Sequence, residues 1–204
     1  MEELRDRNGL TEAEFLATYD ASKYERPSVT VDIIIIRQNR VLLIKRGGHP
    51  CIGRLAFPGG FVDMNEDVYT AAARELMEET GLKAKSLRQL PVASEPKRDP
   101  RTRIISVPFI AEIEDESALA AGDDAMSAQW YDFSYKTVKI NDTAFVEIFI
   151  NDNGSRLSFK VARGIDKSGL IGDYVFKPIG SKVMAGDHGE LFACALDYLY
   201  GVEF

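Results

Sequence analysis

An α/β fold is predicted by three features of this chain. Residues 28–37 and 41–45 are apolar, β-branched runs separated by Gln38-Asn39-Arg40, which predicts buried strands joined as a hairpin. Beyond Pro58-Gly59-Gly60, the residues Tyr69, Ala72, Ala73 and Leu76 form an apolar or small stripe at helical spacing. Glu75, Glu78 and Glu79 lie beside that stripe, which predicts a helix packed on a sheet with one acidic edge. Residues 144–150 and 156–161 flank Asn151-Asp152-Asn153-Gly154, and an Asn-Gly tip between two such runs predicts a β-hairpin.

The other elements follow in chain order. Thr11-Glu12-Ala13-Glu14 has the form of a capping box and opens a predicted helix running to about Tyr24, which Arg26-Pro27 ends. Gly47-Gly48-His49-Pro50 reads as loop, and Leu55-Ala56-Phe57 as a short strand feeding the glycine turn, where small residues permit close backbone approach. Gly81 stops the acidic helix. Residues 87–93 and 103–112 are predicted strands separated by a charged, proline-containing loop, and the acidic stretch 114–124 is expected in solvent. Residues 128–133 are strand-like, and 188–200 read as an amphipathic helix.

Composition bounds the function. At 204 residues the chain suits one domain of generous size, and 25 Lys and Arg against 32 Asp and Glu give a net charge of −7. That balance speaks against nonspecific nucleic-acid binding but not against a small anionic substrate, since a bound cation and a few arginines set the field inside a site. No apolar run approaches the roughly 20 residues a membrane helix needs, residues 33–36 being a short strand-like run, and residues 1–7 do not resemble a signal peptide. Cys51 and Cys194 argue against a disulfide framework, so a cytoplasmic protein with reduced thiols is expected.

The acidic helix carries the chemistry. At about 100° per residue, Glu75, Glu78 and Glu79 fall within an arc of about 100°, so all three are expected on one face. Like charges so close repel, which calls for a cation among them, and oxygen-only ligands select a hard divalent ion such as Mg²⁺ or Mn²⁺. A solvated acidic face is the ordinary reading of a glutamate run. It does not call for the glycines that bracket this one, and the combined pattern arises at only roughly 10⁻⁸ per start position from average composition.

This stretch resembles the signature of the Nudix hydrolases, G-x5-E-x7-R-E-U-x-E-E-x-G-U with U aliphatic. Gly60, Glu66, Arg74, Glu75, Leu76, Glu78, Glu79, Gly81 and Leu82 occupy every fixed position. The resemblance implies a Nudix-type α/β/α sandwich with a central mixed sheet, hydrolysing a nucleoside diphosphate linked to another group with Mg²⁺ or Mn²⁺. It implies that the Gly59 carbonyl joins Glu75, Glu78 and Glu79 as metal ligands. It also implies an ion pair between Glu66 and Arg74 that holds Glu75 in position, while leaving open whether Glu75, Glu112 or Glu114 takes the proton of the attacking water. Against a compact Nudix domain, residues 134–183 look like a β-rich insertion. The chain is then one domain, 1–204, with an N-terminal helical segment 1–27 and a C-terminal helix 187–204.

Residues 26–32, 42–47, 55–60, 95–103 and 122–130, with Asp187-His188, are similar to the ADP-ribose pyrophosphatase branch of that family. The similarity implies conversion of ADP-ribose to AMP and ribose 5-phosphate by a homodimer. Two alternatives stand beside it: a broad nucleotide-sugar or housecleaning pyrophosphatase, and a ligand sensor regulating transcription. Arg46, Arg98, Arg101 and Arg103 are candidate substrate contacts, because guanidinium forks suit phosphate oxygens. His49 and His188 are expected to be structural, with Asp187 capping the last helix, and Trp130 is expected in the core.

Overall fold

The computed structural model describes residues 3–117, 119, 125–140, 143–165, 174–180 and 182–201. Two sheets lie between two helices. In the first sheet the order is β5 (Gly59–Phe61), β1 (Ser28–Ile34), β7 (Ile104–Ile113) and β6 (Ala84–Gln89). β1 runs parallel to β7 and antiparallel to β5, so this sheet is mixed. The second sheet has the order β11 (Tyr174–Ile179), β10 (Ser155–Ile165), β9 (Thr143–Asp152), β8 (Ala125–Ile140), β3 (Arg40–Arg46) and β2 (Ile36–Arg37), and β4 (Leu55–Ala56) also pairs with β3.

Helix α2 (Val68–Thr80) packs on the first sheet through Ala71, Ala72 and Leu76 against Val31, Ile33, Val107 and Phe109. Helix α3 (His188–Tyr200) packs on the second through Phe192 and Leu196 against Tyr131, Phe133, Val146 and Ile148. Each fully buried Leu or Phe contributes about 1.5–3 kcal/mol, so these two seams hold the layers together. The result is the α/β/α sandwich with a mixed sheet that the family resemblance implies.

Several elements depart from the sequence reading. The run 28–37 is two strands, because the chain crosses from the first sheet to the second at Ile35. Ile33 and Ile35 face one core and Ile34 the other, so apolar residues run unbroken through the crossover and hide it. The first helix, α1 (Glu12–Thr18), keeps its capping box but stops six residues short of Tyr24, with a 3-10 turn at Ala21–Lys23. β6 begins three residues earlier than expected and ends at Gln89, leaving Ala93 in a single bridge to Ser106. Gly59 and Gly60 are strand rather than turn, because their backbone pairs with Asp32 and Val31.

β8 runs unbroken through Ser134, so β8, β9, β10 and β11 extend the second sheet as an antiparallel meander. Its hairpin turns at Asn153 and Gly154, with φ of 48° and 85°, the positive pair that a tight Asn-Gly turn demands. Of the acidic stretch 114–124, residues 118 and 120–124 lie outside the described residues. Trp130 packs beside the core with the Arg40 guanidinium 5.1 Å from its ring centre.

Candidate active site

A cleft of about 510 Å³ opens where β5 and the start of β1 meet α2, the loop after β3 and the loop before α3. One wall is the acidic helix. Asp67 caps it by accepting the N–H groups of Tyr69 and Thr70, each at 2.9 Å, and Gly81 ends it at a φ of 71°. The buried stripe is Ala71, Ala72, Leu76 and Thr80, while Ala73 is exposed and Tyr69 half-exposed with its ring edge-on to Phe109. Relative to the predicted stripe the helix is rotated, and this turns Glu75 and Glu79 into the cleft.

Both acids are held from the strand side. Glu79 accepts the Gly59 N–H at 2.8 Å. Glu75 lies against Gly60 so closely that a Cβ there would overlap its carboxylate, and a Cβ on Gly59 would overlap the Val31 carbonyl. Arg74 binds three carboxylates: Glu66 at 2.5 Å, Glu75 at 2.8 Å and Glu78 at 3.0 Å, and it donates to the Phe61 carbonyl at 3.0 Å. The Glu66–Arg74 pair expected from the resemblance is therefore present, and the same guanidinium also holds Glu75. Glu78 leans to the solvent side and is 57% exposed, so the three glutamates do not share one wall.

Burial pushes the Glu75 carboxyl above the ordinary range, against Arg74, while the neighbouring Glu78 and Glu66 charges raise it further. Glu66 is held below that range by its hydrogen bond to Arg74. A carboxylate in Glu75's position is a group that a cation would stabilise. Carboxylates and a backbone carbonyl are donors of the chemistry that a hard divalent ion takes, and the glycines let the Glu75 and Glu79 carboxylates lie against the strand backbone. In this conformation Arg74 satisfies Glu75 and Glu78, and among the described residues no three His, Cys, Asp or Glu groups gather at one metal-holding point.

Cations line the cleft as well. Arg46, Arg98 and Arg101 line the cleft, as do His49 and His188, whereas Arg103, Glu112 and Glu114 do not. Arg103 instead donates to the Ser94 carbonyl at 2.8 Å across the base of its loop. Arg46 donates to the Pro50 carbonyl at 2.9 Å. Arg101 is bound by Asp99 at 3.0 and 2.8 Å and lies over the Phe61 ring at 5.4 Å. Asp187 makes no side-chain cap on α3, contrary to expectation; its carboxylate takes both arms of Arg98 instead.

Sequence reasoning passed over Asp32 and Ser106. Asp32 is 7% exposed, accepts the buried Ser106 hydroxyl, and lies 3.5 Å from His188 Nε2 and 3.9 Å from Arg98. The signal was a charged residue inside the apolar run Val31-Asp32-Ile33, which a buried strand tolerates only with partners.

A mixed-sheet α/β/α sandwich whose glycine strand abuts a helix bearing Arg-Glu-x-x-Glu-Glu defines a Nudix-type domain. Residues 26–142, more than half of the chain, match the NUDIX domain model, and the protein belongs to that family. The chain is 47% identical over 111 residues to an ADP-ribose pyrophosphatase of Methanocaldococcus jannaschii, a match covering 54% of this chain and 65% of that protein. It spans less than two thirds of the length of the curated relatives it matches. A MutT/nudix family protein from Enterococcus faecalis superposes with a TM-score of 0.69 at 29% identity, over 96% of this chain and 71% of that one. The NUDIX domain of Shewanella oneidensis NrtR, solved with ADP ribose, superposes with a TM-score of 0.55 at 28% identity, over 60% of this chain and 84% of that one.

Proposed function

We propose that this protein hydrolyses the pyrophosphate bond of a nucleoside diphosphate derivative, ADP-ribose first among them, giving AMP and ribose 5-phosphate. One observation carries the reading: Glu75 and Glu79 are fixed against Gly60 and Gly59 in a cleft that Arg46 and Arg101 also line. The similarity to an ADP-ribose pyrophosphatase and to a domain that binds ADP ribose supports the choice of substrate.

Glu75, Glu78, Glu79 and the Gly59 carbonyl would hold Mg²⁺ or Mn²⁺. When bound, such an ion neutralises charge on the diphosphate and activates a water. The chain's own residues do the rest. Arg74, anchored by Glu66, holds Glu75, and the Gly59 N–H holds Glu79. Arg46 and Arg101 bind the phosphate oxygens, where cations counter the charge that builds on phosphorus. Water oxygen attacks one phosphorus as the bridging P–O bond breaks, and the bridging oxygen leaves with the other phosphate. Glu112 and Glu114 do not line the cleft and Glu75 does, which supports Glu75 over either of them as the group that takes the water's proton.

The proposal extends to a single domain over residues 1–204 that works as a homodimer in the cytoplasm. α1 buries none of its residues, and Phe15, Leu16, Tyr19 and Tyr24 are exposed, which supports a second copy covering them. Cys51 and Cys194 are free thiols, and among the described residues no helix is long and apolar enough to cross a membrane. Light scattering tests the dimer. Values of kcat/KM for ADP-ribose, other nucleotide sugars, NADH and oxidised dGTP test the substrate. ADP-ribose is expected to lead, and an even profile favours the broad pyrophosphatase. Tight binding of ADP-ribose without turnover favours the sensor, against which the intact acid set speaks.

A further inference from the structure

We propose that Arg98 and Asp187 form a latch that holds the 94–103 loop against the start of α3, so that the loop meets substrate through Arg101 and not through Arg98. The proposal rests on the hydrolase reading for what the loop meets, but the latch itself stands on geometry.

Arg98 is buried at the back of the cleft, its side chain only 7% exposed, and its Nε and Nη2 each donate to Asp187 at 2.7 Å. A guanidinium that one carboxylate engages bidentately, and whose remaining edge is buried, has no open fork with which to grip a phosphate. Asp187 likewise sits where a carboxylate ordinarily caps a helix, yet its side chain caps nothing and serves Arg98.

Behind the pair is an anchor drawn from three other parts of the fold. Asp32 on β1 lies 3.9 Å from Arg98 and accepts the Ser106 hydroxyl from β7. His188 accepts the Phe57 N–H at Nδ1, 2.9 Å away, so a neutral ring carries its proton on Nε2, 3.5 Å from Asp32. The loop's base is closed by the paired Ala93 and Ser106 backbones and by Arg103 on the Ser94 carbonyl. Arg101 differs from Arg98 in access. Asp99 takes the same two nitrogens of Arg101, at 3.0 and 2.8 Å, but the rest of that side chain is open, 44% exposed at the cleft rim over Phe61, where an incoming phosphate can reach it.

The test compares Arg98→Ala, Asp187→Asn, Arg101→Ala and the double variant Arg98→Ala/Arg101→Ala. With ADP-ribose, Arg98→Ala and Asp187→Asn are each expected to raise KM about tenfold with kcat held within about twofold, and the double variant to be no worse than Arg101→Ala alone. An effect of Arg98→Ala that multiplies with that of Arg101→Ala makes Arg98 a direct substrate contact and overturns the proposal, as does an unchanged KM for Asp187→Asn. Hydrogen exchange reads the latch without any substrate. Arg98→Ala and Asp187→Asn are expected to speed exchange across residues 94–103 by about tenfold while Arg101→Ala does not, and unchanged exchange overturns the latch even if ADP-ribose proves the wrong substrate.

Discussion

Glu79 accepts the backbone N–H of Gly59 at 2.8 Å, so an acid in the last turn of α2 is tied to the strand it faces. The bond spans the two layers at the point where β5 pairs with β1, with Gly59 opposite Asp32. Strand pairing, glycine and acid therefore constrain one another, and the two neighbouring glycines serve different purposes.

Gly60→Ala and Gly59→Ala are expected to separate chemistry from folding. The nearest atoms a methyl on Gly60 meets are the movable end of Glu75, so the fold is expected to survive while the displaced carboxylate costs about 10²-fold in kcat. A methyl on Gly59 meets the Val31 backbone at a φ of 155°, which is expected to destabilise the protein by on the order of 2–4 kcal/mol. Thermal melts and turnover for both variants check the contrast. Equal stability for the two would refute the role given to Gly59.

Divalent metal is expected to stabilise the protein through Glu75. Its buried carboxylate is disfavoured in the charged form, and a cation relieves that burden. At 100 times its Kd a ligand adds about 2.7 kcal/mol, on the order of 5–10 °C in Tm for a chain of this size. Melting curves with Mg²⁺, Mn²⁺ and EDTA measure it. Glu75→Gln should lose most of the shift, and a variant that keeps it removes Glu75 from the proposed ligands.

Glu190 on α3 gives a prediction in pH. Burial, its largest influence, holds the Glu190 carboxyl above the ordinary value of 4.5, with the Asp187 charge adding to it. The folded state thus favours the protonated form: its relative advantage is full below about pH 4.5 and is lost as pH rises through the folded-state value. Glu190→Gln should therefore raise Tm at pH 7.5, with the gain shrinking as pH falls toward 4. A gain that grows on acidification has the opposite sign and contradicts this.

The acid helix was readable because its chemistry is local: Glu66, Arg74, Glu75 and Glu79 reach their partners within one turn-and-helix segment. The same was true of the hairpin at Asn153-Gly154, where two residues carry the turn's backbone demand. What local pattern could not reveal are relationships closed by the sheet. Arg98 reads as a phosphate binder in a basic loop until α3 brings Asp187 to it from 89 residues away. Asp32 and Ser106 meet only because β1 and β7 run parallel, and a parallel pairing leaves no turn in the sequence to announce it. The break at Ile35 was hidden for a related reason, since a strand buried on both faces has no alternation to lose.

Turnover of Glu79→Gln on ADP-ribose at saturating Mg²⁺, set beside the wild type, tests most directly the claim that the acid wall of α2 drives phosphoanhydride hydrolysis. Glutamine keeps an oxygen for the Gly59 N–H while removing the charge and one of the two acceptor oxygens. A folded variant with kcat down by about 10²–10³-fold is the predicted result. A folded variant turning over at near the wild-type rate would contradict the account.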